Sequence, residues 1–379
     1  MGRCIIIEER PTNTIGEDNM YNVHIHIGNT DSYPEYIIPG FSLNVLTKPE
    51  FFNSLQWILH NLNPFSEKDL MDRARGIVNY GINSNKNLFE YVKAIYPADT
   101  KFSILVIDYE YMGAGKSKKT YMEVLESVAL IKAKYPDLID AFVGIDPRRP
   151  NALQVLTKVI EELNFTGIKL YPNLGFSVRD QRLDPIYRYA NANKLPITIH
   201  TSEGGLYSRD CVAYEYARNN SIESPSKFKW FFTSLRGKIQ HIAHPRNLEV
   251  VIKKYPGIRW NLAHVGGDVN MKSYLAGDTV IKSSLADNWT ATIVDLIRGY
   301  DNVFTDISCQ LSVPGFFEIV SVFMDDPVLR KSLLFGSDFY VNQIDGPETN
   351  YSLDLKEHMP PPDFEDLVYV NPRKFLCKK

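Results

Sequence analysis

Cysteine is scarce in this sequence: the 379 residues hold four, Cys4, Cys211, Cys309 and Cys377, none in a CxxC pair. Such dispersal argues against a disulfide framework or a thiolate zinc cluster and suits a reducing compartment. Long apolar runs are missing, so no window spans a bilayer. Met1–Arg10 offers only Ile5, Ile6 and Ile7 before acidic residues, too short for a secretory leader. Met1-Gly2 opens a myristoylation-like pattern, but Ile6 stands where Ser or Thr is required. Charge of one sign is missing too: a formal net charge of -3 gives no electrostatic footprint for nucleic acid or an anionic membrane. Repeats and low-complexity tracts are absent. With 44% hydrophobic and 23% charged residues, the chain reads as a soluble, cytoplasmic, globular protein whose partner is a small molecule.

What is present starts with Tyr21-Asn22-Val23-His24-Ile25-His26-Ile27-Gly28. Val23, Ile25 and Ile27 alternate with His24 and His26, the period of a strand, which turns both imidazoles to one side. Two neutral imidazoles on one rigid face supply half a coordination sphere. Taken alone, the pair is more often what an ordinary surface strand carries.

A βα rhythm follows. Short apolar runs at 102–107, 141–145, 167–170, 196–199, 259–263, 303–306 and 333–336 alternate with helical patterns at 120–134, 152–163, 185–193, 247–255 and 288–298. Runs of this kind are parallel strands buried on both faces. Counted from His24 there are eight, which predicts a (β/α)8 TIM barrel rather than an open sheet. The barrel core runs from about 20 to 340 within one domain of 1–379. A helical insertion (about 28–100) follows the first strand, with helices expected at 50–62, 67–80 and 87–95, and a long insertion (201–243) follows the fifth. Residues 5–7 read as a small edge strand, and 341–379 as an extension packed over the barrel.

Active sites of such barrels lie where the strands end. Here strand one ends with His24 and His26, strand four with Lys169, strand five with His200, strand six with His264 and strand eight with Asp338. Three histidines and an aspartate make a zinc or manganese site that leaves positions open for water and substrate.

The segments HIHIG (24–28), GIKLYP (167–172), ITIHTSEGG (197–205), NLAHVGG (261–267) and LLFGSDF (333–339) together resemble the amidohydrolase superfamily. They are most similar to its amidohydrolase-related branch, which includes aminocarboxymuconate-semialdehyde decarboxylase and resorcylate decarboxylases. The resemblance covers about 20–340. It implies that His24, His26, His200 and Asp338 hold one divalent ion, zinc first and manganese second. It gives His264 a catalytic or orienting role and implies a homodimer. In binuclear members the strand-four lysine is carbamylated and bridges two metals. Every residue of such a site is present, yet the flanking motifs favour one metal, with Lys169 pairing a substrate carboxylate.

Other residues carry weaker signals. Arg148, in Asp146-Pro147-Arg148-Arg149, could clamp a carboxylate, although loop arginines are usually solvated. Glu203 either reaches the site or caps a helix. His244 is read as a surface histidine, and Asp306 supports a ligand or makes a structural hydrogen bond. Gly266-Gly267 permits close backbone approach at a helix start. Gly113–Ser117 (GAGKS) resembles the end of a phosphate-binding loop, but Glu110 stands where its first glycine belongs, so it reads as the loop after strand two.

The reading is a metal-dependent hydrolase in which a metal-bound water attacks a small amide, lactone or ester. Asp338 takes the proton and the metal or His264 steadies the oxyanion, while Lys169, Arg148 and Glu203 contact substrate. The rival within the branch is a non-hydrolytic decarboxylase. The rival from another class is a barrel without catalysis that serves as a binding protein.

Overall fold

The computed structural model describes residues 20–38, 42–46, 85–222, 226–277, 288–308, 316–339 and 354–378. The expected strand at 5–7 and the expected helices at 50–62 and 67–80 lie outside them. Eight strands form one sheet in sequential order, every neighbouring pair parallel. They are β1 (Tyr21–Ile25), β2 (Lys101–Leu105), β3 (Ile139–Gly144), β4 (Gly167–Leu170), β5 (Pro196–Ser202), β6 (Arg259–Gly266), β7 (Val303–Asp306) and β8 (Leu333–Leu334). First and last strands meet at the Ile25–Phe339 bridge. Backbone bonds Val23 N→Phe335 O (2.9 Å), Asp338 N→His24 O (2.9 Å) and His26 N→Phe339 O (2.8 Å) close the ring. The architecture is the (β/α)8 barrel the apolar runs imply.

Helices Asn85–Ala94, Tyr121–Lys134, Ala152–Glu161, Asp184–Asn193, Glu249–Lys254, Trp289–Gly299 and Phe316–Asp325 separate the strands. Local chemistry sets their starts. Thr120 and Glu123 form a reciprocal capping box that begins the helix after β2. Every described strand is buried over nearly its whole length, because helices pack on the outer face and side chains fill the inner one. At the N-terminal end of the barrel, Phe375 from the helix Asn371–Leu376 plugs the interior against Phe142 and Phe304 (ring centroids 6.3 and 5.6 Å apart). The helix Asn371–Leu376 of the C-terminal extension therefore covers the end away from the strand termini that carry the polar groups. Cys377 carries a disulfide, whereas the dispersal of the four cysteines argues against a disulfide framework. Spacing along the chain does not report distance across a closed barrel.

The insertion after β5 has helices of its own, Cys211–Asn219, Lys227–Phe231 and Leu235–Ile242. Among these, Trp230, Tyr214, Ile239 and Ile242 form a small core with Trp289. Among the described residues no helix is long and apolar enough to cross a membrane.

The seam between β1 and β8 depends on Asn22. Its buried amide donates to Ser337 Oγ (2.8 Å) and Tyr96 Oη (3.1 Å) and accepts from Ser337 N (3.1 Å). Asn22→Ala strands these partners inside the protein and is expected to cost about 2 kcal/mol or more. The urea midpoint of unfolding measures it, and an unchanged midpoint would place the closure elsewhere.

Candidate metal centre

Strand alternation brings His24 and His26 to the same carboxylate. Their Nε2 atoms lie 3.6 and 3.2 Å from Asp338 Oδ1. Asp338 follows β8 with φ +58, and its amide is tied to the His24 carbonyl (2.9 Å). The end of β6 is more unusual still: His264 (φ +74), Val265 (+50), Gly266 (+89) and Gly267 (+88) all take left-handed backbone. For β-branched Val265 this is a strained conformation, of the kind that persists where surrounding structure enforces it. The two glycines let the chain turn tightly past Thr290 and Ser202, whose atoms an added Cβ would meet at 2.8 and 2.7 Å.

Asp306, at the end of β7, organises the cluster from below. Its Oδ2 accepts from His24 Nδ1 (3.0 Å) and Asn261 Nδ2 (2.7 Å), and Oδ1 accepts from the amides of His264 (3.2 Å) and Ser308 (3.1 Å). The Ser308 hydroxyl also bonds Asp306 Oδ1 and sits 3.0 Å from His24 Nδ1 and 2.9 Å from His264 Nδ1. Of the two roles open to Asp306 from sequence, the structure places it behind a candidate ligand. With Nδ1–H committed to Asp306, His24 turns its Nε2 lone pair towards Asp338 and towards Lys169 Nζ (3.3 Å).

His200 packs against Tyr171 (4.1 Å between centroids, planes tilted by 59°), directs Nε2 at the Gly204 carbonyl (3.0 Å) and meets His264 Nε2 through its Nδ1 (2.9 Å). His264 Nδ1 in turn faces the Ser308 carbonyl (3.1 Å). Three contacts in this chain ask for a proton, yet two neutral rings carry two N–H groups. The link between the rings is the one a cation would replace, leaving each N–H to its carbonyl.

Electrostatics prepare the same outcome. Burial, then the Lys169 charge, pushes His24 down to about 3. Burial likewise holds His200 well below its ordinary value and lowers His264. The rings are neutral and their lone pairs available. Burial alone would raise Asp338, but the His26 hydrogen bond and the facing imidazoles hold it well below the usual carboxylate range. Asp306 is also held down, against its burial, by the His24 and Ser308 groups that donate to it.

Ligand atoms of His24, His264 and Asp338 all lie within 4.8 Å of one another. Two ligands at about 2.1 Å from one ion sit roughly 3.4 Å apart, close to the spacings between Asp338 and His24 or His26. The donor set therefore fits a divalent cation. His264, expected as an orienting group, stands within this trio, and His200 lies directly beside it.

Outlying residues are placed differently. Arg148 forks onto Asp146 (Nε–Oδ1 2.9 Å, Nη2–Oδ2 2.6 Å) and also donates to the Leu174 carbonyl (2.7 Å). The fork expected to clamp a substrate thus holds its own strand end. Glu203 accepts from Gln240 (2.8 Å) and Asn270 (3.3 Å), joining the β5 insertion to the helix after β6. His244, expected on the surface, is buried. It caps the turn at Pro245–Leu248 through Nδ1 and packs on Trp289, so its proline neighbour marked a buried turn. The GAGKS loop bonds to residues 35–36 through the Ala114 and Lys116 carbonyls, as a loop after β2 should. Ser308 and Asn22 carried no motif. Each stands two residues from a residue of the cluster, Asn22 on the His24 face of β1 and Ser308 just past the end of β7, the one available clue.

Lys169 is almost fully buried, and that burial lowers its ammonium to about 8 from 10.5. Below pH 8 it is charged in both folded and unfolded chains, so its full desolvation cost is present; above 10.5 it is charged in neither. Lys169→Met is expected to stabilise the metal-free protein at pH 7 by up to about 3 kcal/mol. The gain should fade between pH 8 and 10.5. Urea unfolding across that range measures it, and a gain independent of pH would assign the effect to packing.

The amidohydrolase family model matches residues 93–377. No curated protein matches the chain. Among solved structures, 5-carboxyvanillate decarboxylase from Novosphingobium aromaticivorans, with manganese and 4-hydroxy-3-methoxy-5-nitrobenzoic acid, is similar over 95% of this chain and 96% of that one (13% identity, TM-score 0.56). Dihydroxybenzoic acid decarboxylase from Polaromonas sp. JS666, with manganese and 2-nitroresorcinol, is similar over 95% and 97% (11% identity, TM-score 0.53). An uncharacterised TIM-barrel protein from Bordetella bronchiseptica is similar over 95% and 98% (14% identity, TM-score 0.52). At these identities the solved structures establish the barrel. The family model, which spans well over half of the residues, establishes membership: this chain belongs to the amidohydrolase family.

Proposed function

We propose that the chain is a metal-dependent hydrolase of a small carbonyl compound, an amide, lactone or ester. The observation that carries this is the convergence of His24, His26, Lys169, His200, His264 and Asp338 in one largely buried cluster at the strand ends. Such groups are costly inside an apolar barrel unless they do chemistry together. His24, His26, Asp338 and one or both of His200 and His264 would hold the ion, zinc or manganese. When bound there, a divalent cation polarises a carbonyl oxygen and acidifies water.

The protein groups divide the remaining work. Asp338, anionic and facing two imidazoles, accepts the proton of the attacking water and returns it to the leaving group. His264, if His200 rather than His264 holds the ion, would turn an Nε2–H to the carbonyl oxygen and steady its negative charge. Lys169 is cationic at neutral pH and offers a buried point charge to a substrate carboxylate. Tyr171 packs against His200.

That lysine is also what favours a second reading, decarboxylation of a small carboxylic acid. A carboxylate drawn to Lys169 would lie beside the proton-carrying groups. The decarboxylase neighbours that hold manganese and aromatic ligands support screening such acids.

Elemental mass spectrometry of protein purified without added metal or chelator is expected to find about one divalent ion per chain, lost in His26→Ala. No metal even after reconstitution would end the hydrolase reading. About two per chain would point to a carbamylated Lys169. Asp338→Asn is expected to lower turnover by about 10² to 10⁴-fold. Turnover in labelled water separates the readings: label entering product supports hydrolysis, and carbon dioxide release without label supports decarboxylation.

A further inference from the structure

The insertion after β5 carries a surface that the barrel chemistry does not use. Its helix Lys227–Phe231 is capped by Ser226, whose hydroxyl accepts from Lys229 N. One side of this helix buries Trp230 in the small core of the insertion. The other side presents Phe228, Phe231 and Phe232, which are 78%, 77% and 70% exposed, followed by Leu235 at 45%. The rings touch one another, with centroids 5.1 Å apart for Phe228–Phe232 and 5.3 Å for Phe231–Phe232. Single exposed apolar residues are ordinary; a contiguous aromatic cluster in water marks a surface that something covers.

Charge indicates what. Between Glu223 and Glu249 the chain holds Lys227, Lys229, Arg236, Lys238 and Arg246 and no carboxylate, although the whole chain is at -3. The near-neutral total conceals a basic segment. Lys227 and Lys229, both exposed, alternate with the aromatic rings. A second copy is a poor occupant, because a twofold contact would set these lysines against their own counterparts. A single-stranded nucleic acid is also disfavoured. It needs flat faces on which successive bases stack, whereas these rings lie at 63° and 87° to each other.

We propose that this segment docks the protein on an anionic lipid surface. Phe228, Phe231 and Phe232 enter the boundary between headgroups and acyl chains, and Lys227 and Lys229 engage lipid phosphates. The docked segment is joined to the barrel mouth. Gln240, on the next helix, donates to Glu203, three residues beyond His200.

Co-sedimentation of the full-length protein with vesicles of phosphatidylcholine and phosphatidylserine, against phosphatidylcholine alone, tests this. The variants are Phe228→Ser/Phe231→Ser/Phe232→Ser and Lys227→Glu/Lys229→Glu; all five side chains are exposed, and circular dichroism confirms folding. The wild type is expected to pellet with the anionic vesicles, more weakly as salt rises, and each variant to bind more than about tenfold less. Absence of phosphatidylserine-dependent pelleting overturns the proposal, as does pelleting that neither variant changes. A wild-type dimer that the triple variant converts to monomer, without vesicle binding, assigns the patch to self-association instead. A preference for single-stranded RNA over vesicles likewise overturns it.

Discussion

The Asp306 carboxylate is buried and charged, and groups from β1, β6 and the end of β7 donate to it. A lone anion in that position would simply protonate. Instead its hydrogen bonds fix the His24 tautomer, orient the Ser308 hydroxyl and anchor the His264 amide, so the candidate ligands are aimed before anything binds. Asn261 adds a further donor from inside the barrel. Removing Asp306 would withdraw the acceptor shared by β1, β6 and the residues just past β7, which couples the architecture of the interior to the chemistry at its mouth.

Strain belongs to the same arrangement. Left-handed backbone at His264, Val265 and Asp338 is uphill for each residue, and the surrounding bonds over-determine it. His264 lies in this left-handed stretch at the end of β6, with its ring beside His200 and His24.

Much of this was legible in the residues. The HxH pair, the strand-end Lys169, His200, His264 and Asp338, and the alternation of apolar runs with helical patterns follow from periods of two and 3.6. Those periods also place the strands, because parallel strands buried on both faces leave a continuous apolar signal. What escaped is long-range. Asn22 bonds Ser337, 315 residues away; Arg148 reaches the Leu174 carbonyl, 26 residues away; His244 lies under Trp289. None of these partners is implied by local pattern, since side-chain pairing is settled by how the closed barrel brings strand ends together. The helices at 211–242 lie in what the sequence offers only as a long insertion. Their apolar residues serve a private core with Trp230 and Trp289.

One consequence concerns how the ring is joined. Adjacent strands elsewhere share paired residues along a ladder, but β1 and β8 meet through one bridge, a few backbone bonds and the Asn22 amide. His24 and His26 stand on one side of that join and Asp338 on the other. The groups that would grip a cation are thus also the two halves of a clasp between the ends of the sheet. Loading such a site would lock the hoop, and stripping it would loosen the barrel first along that line.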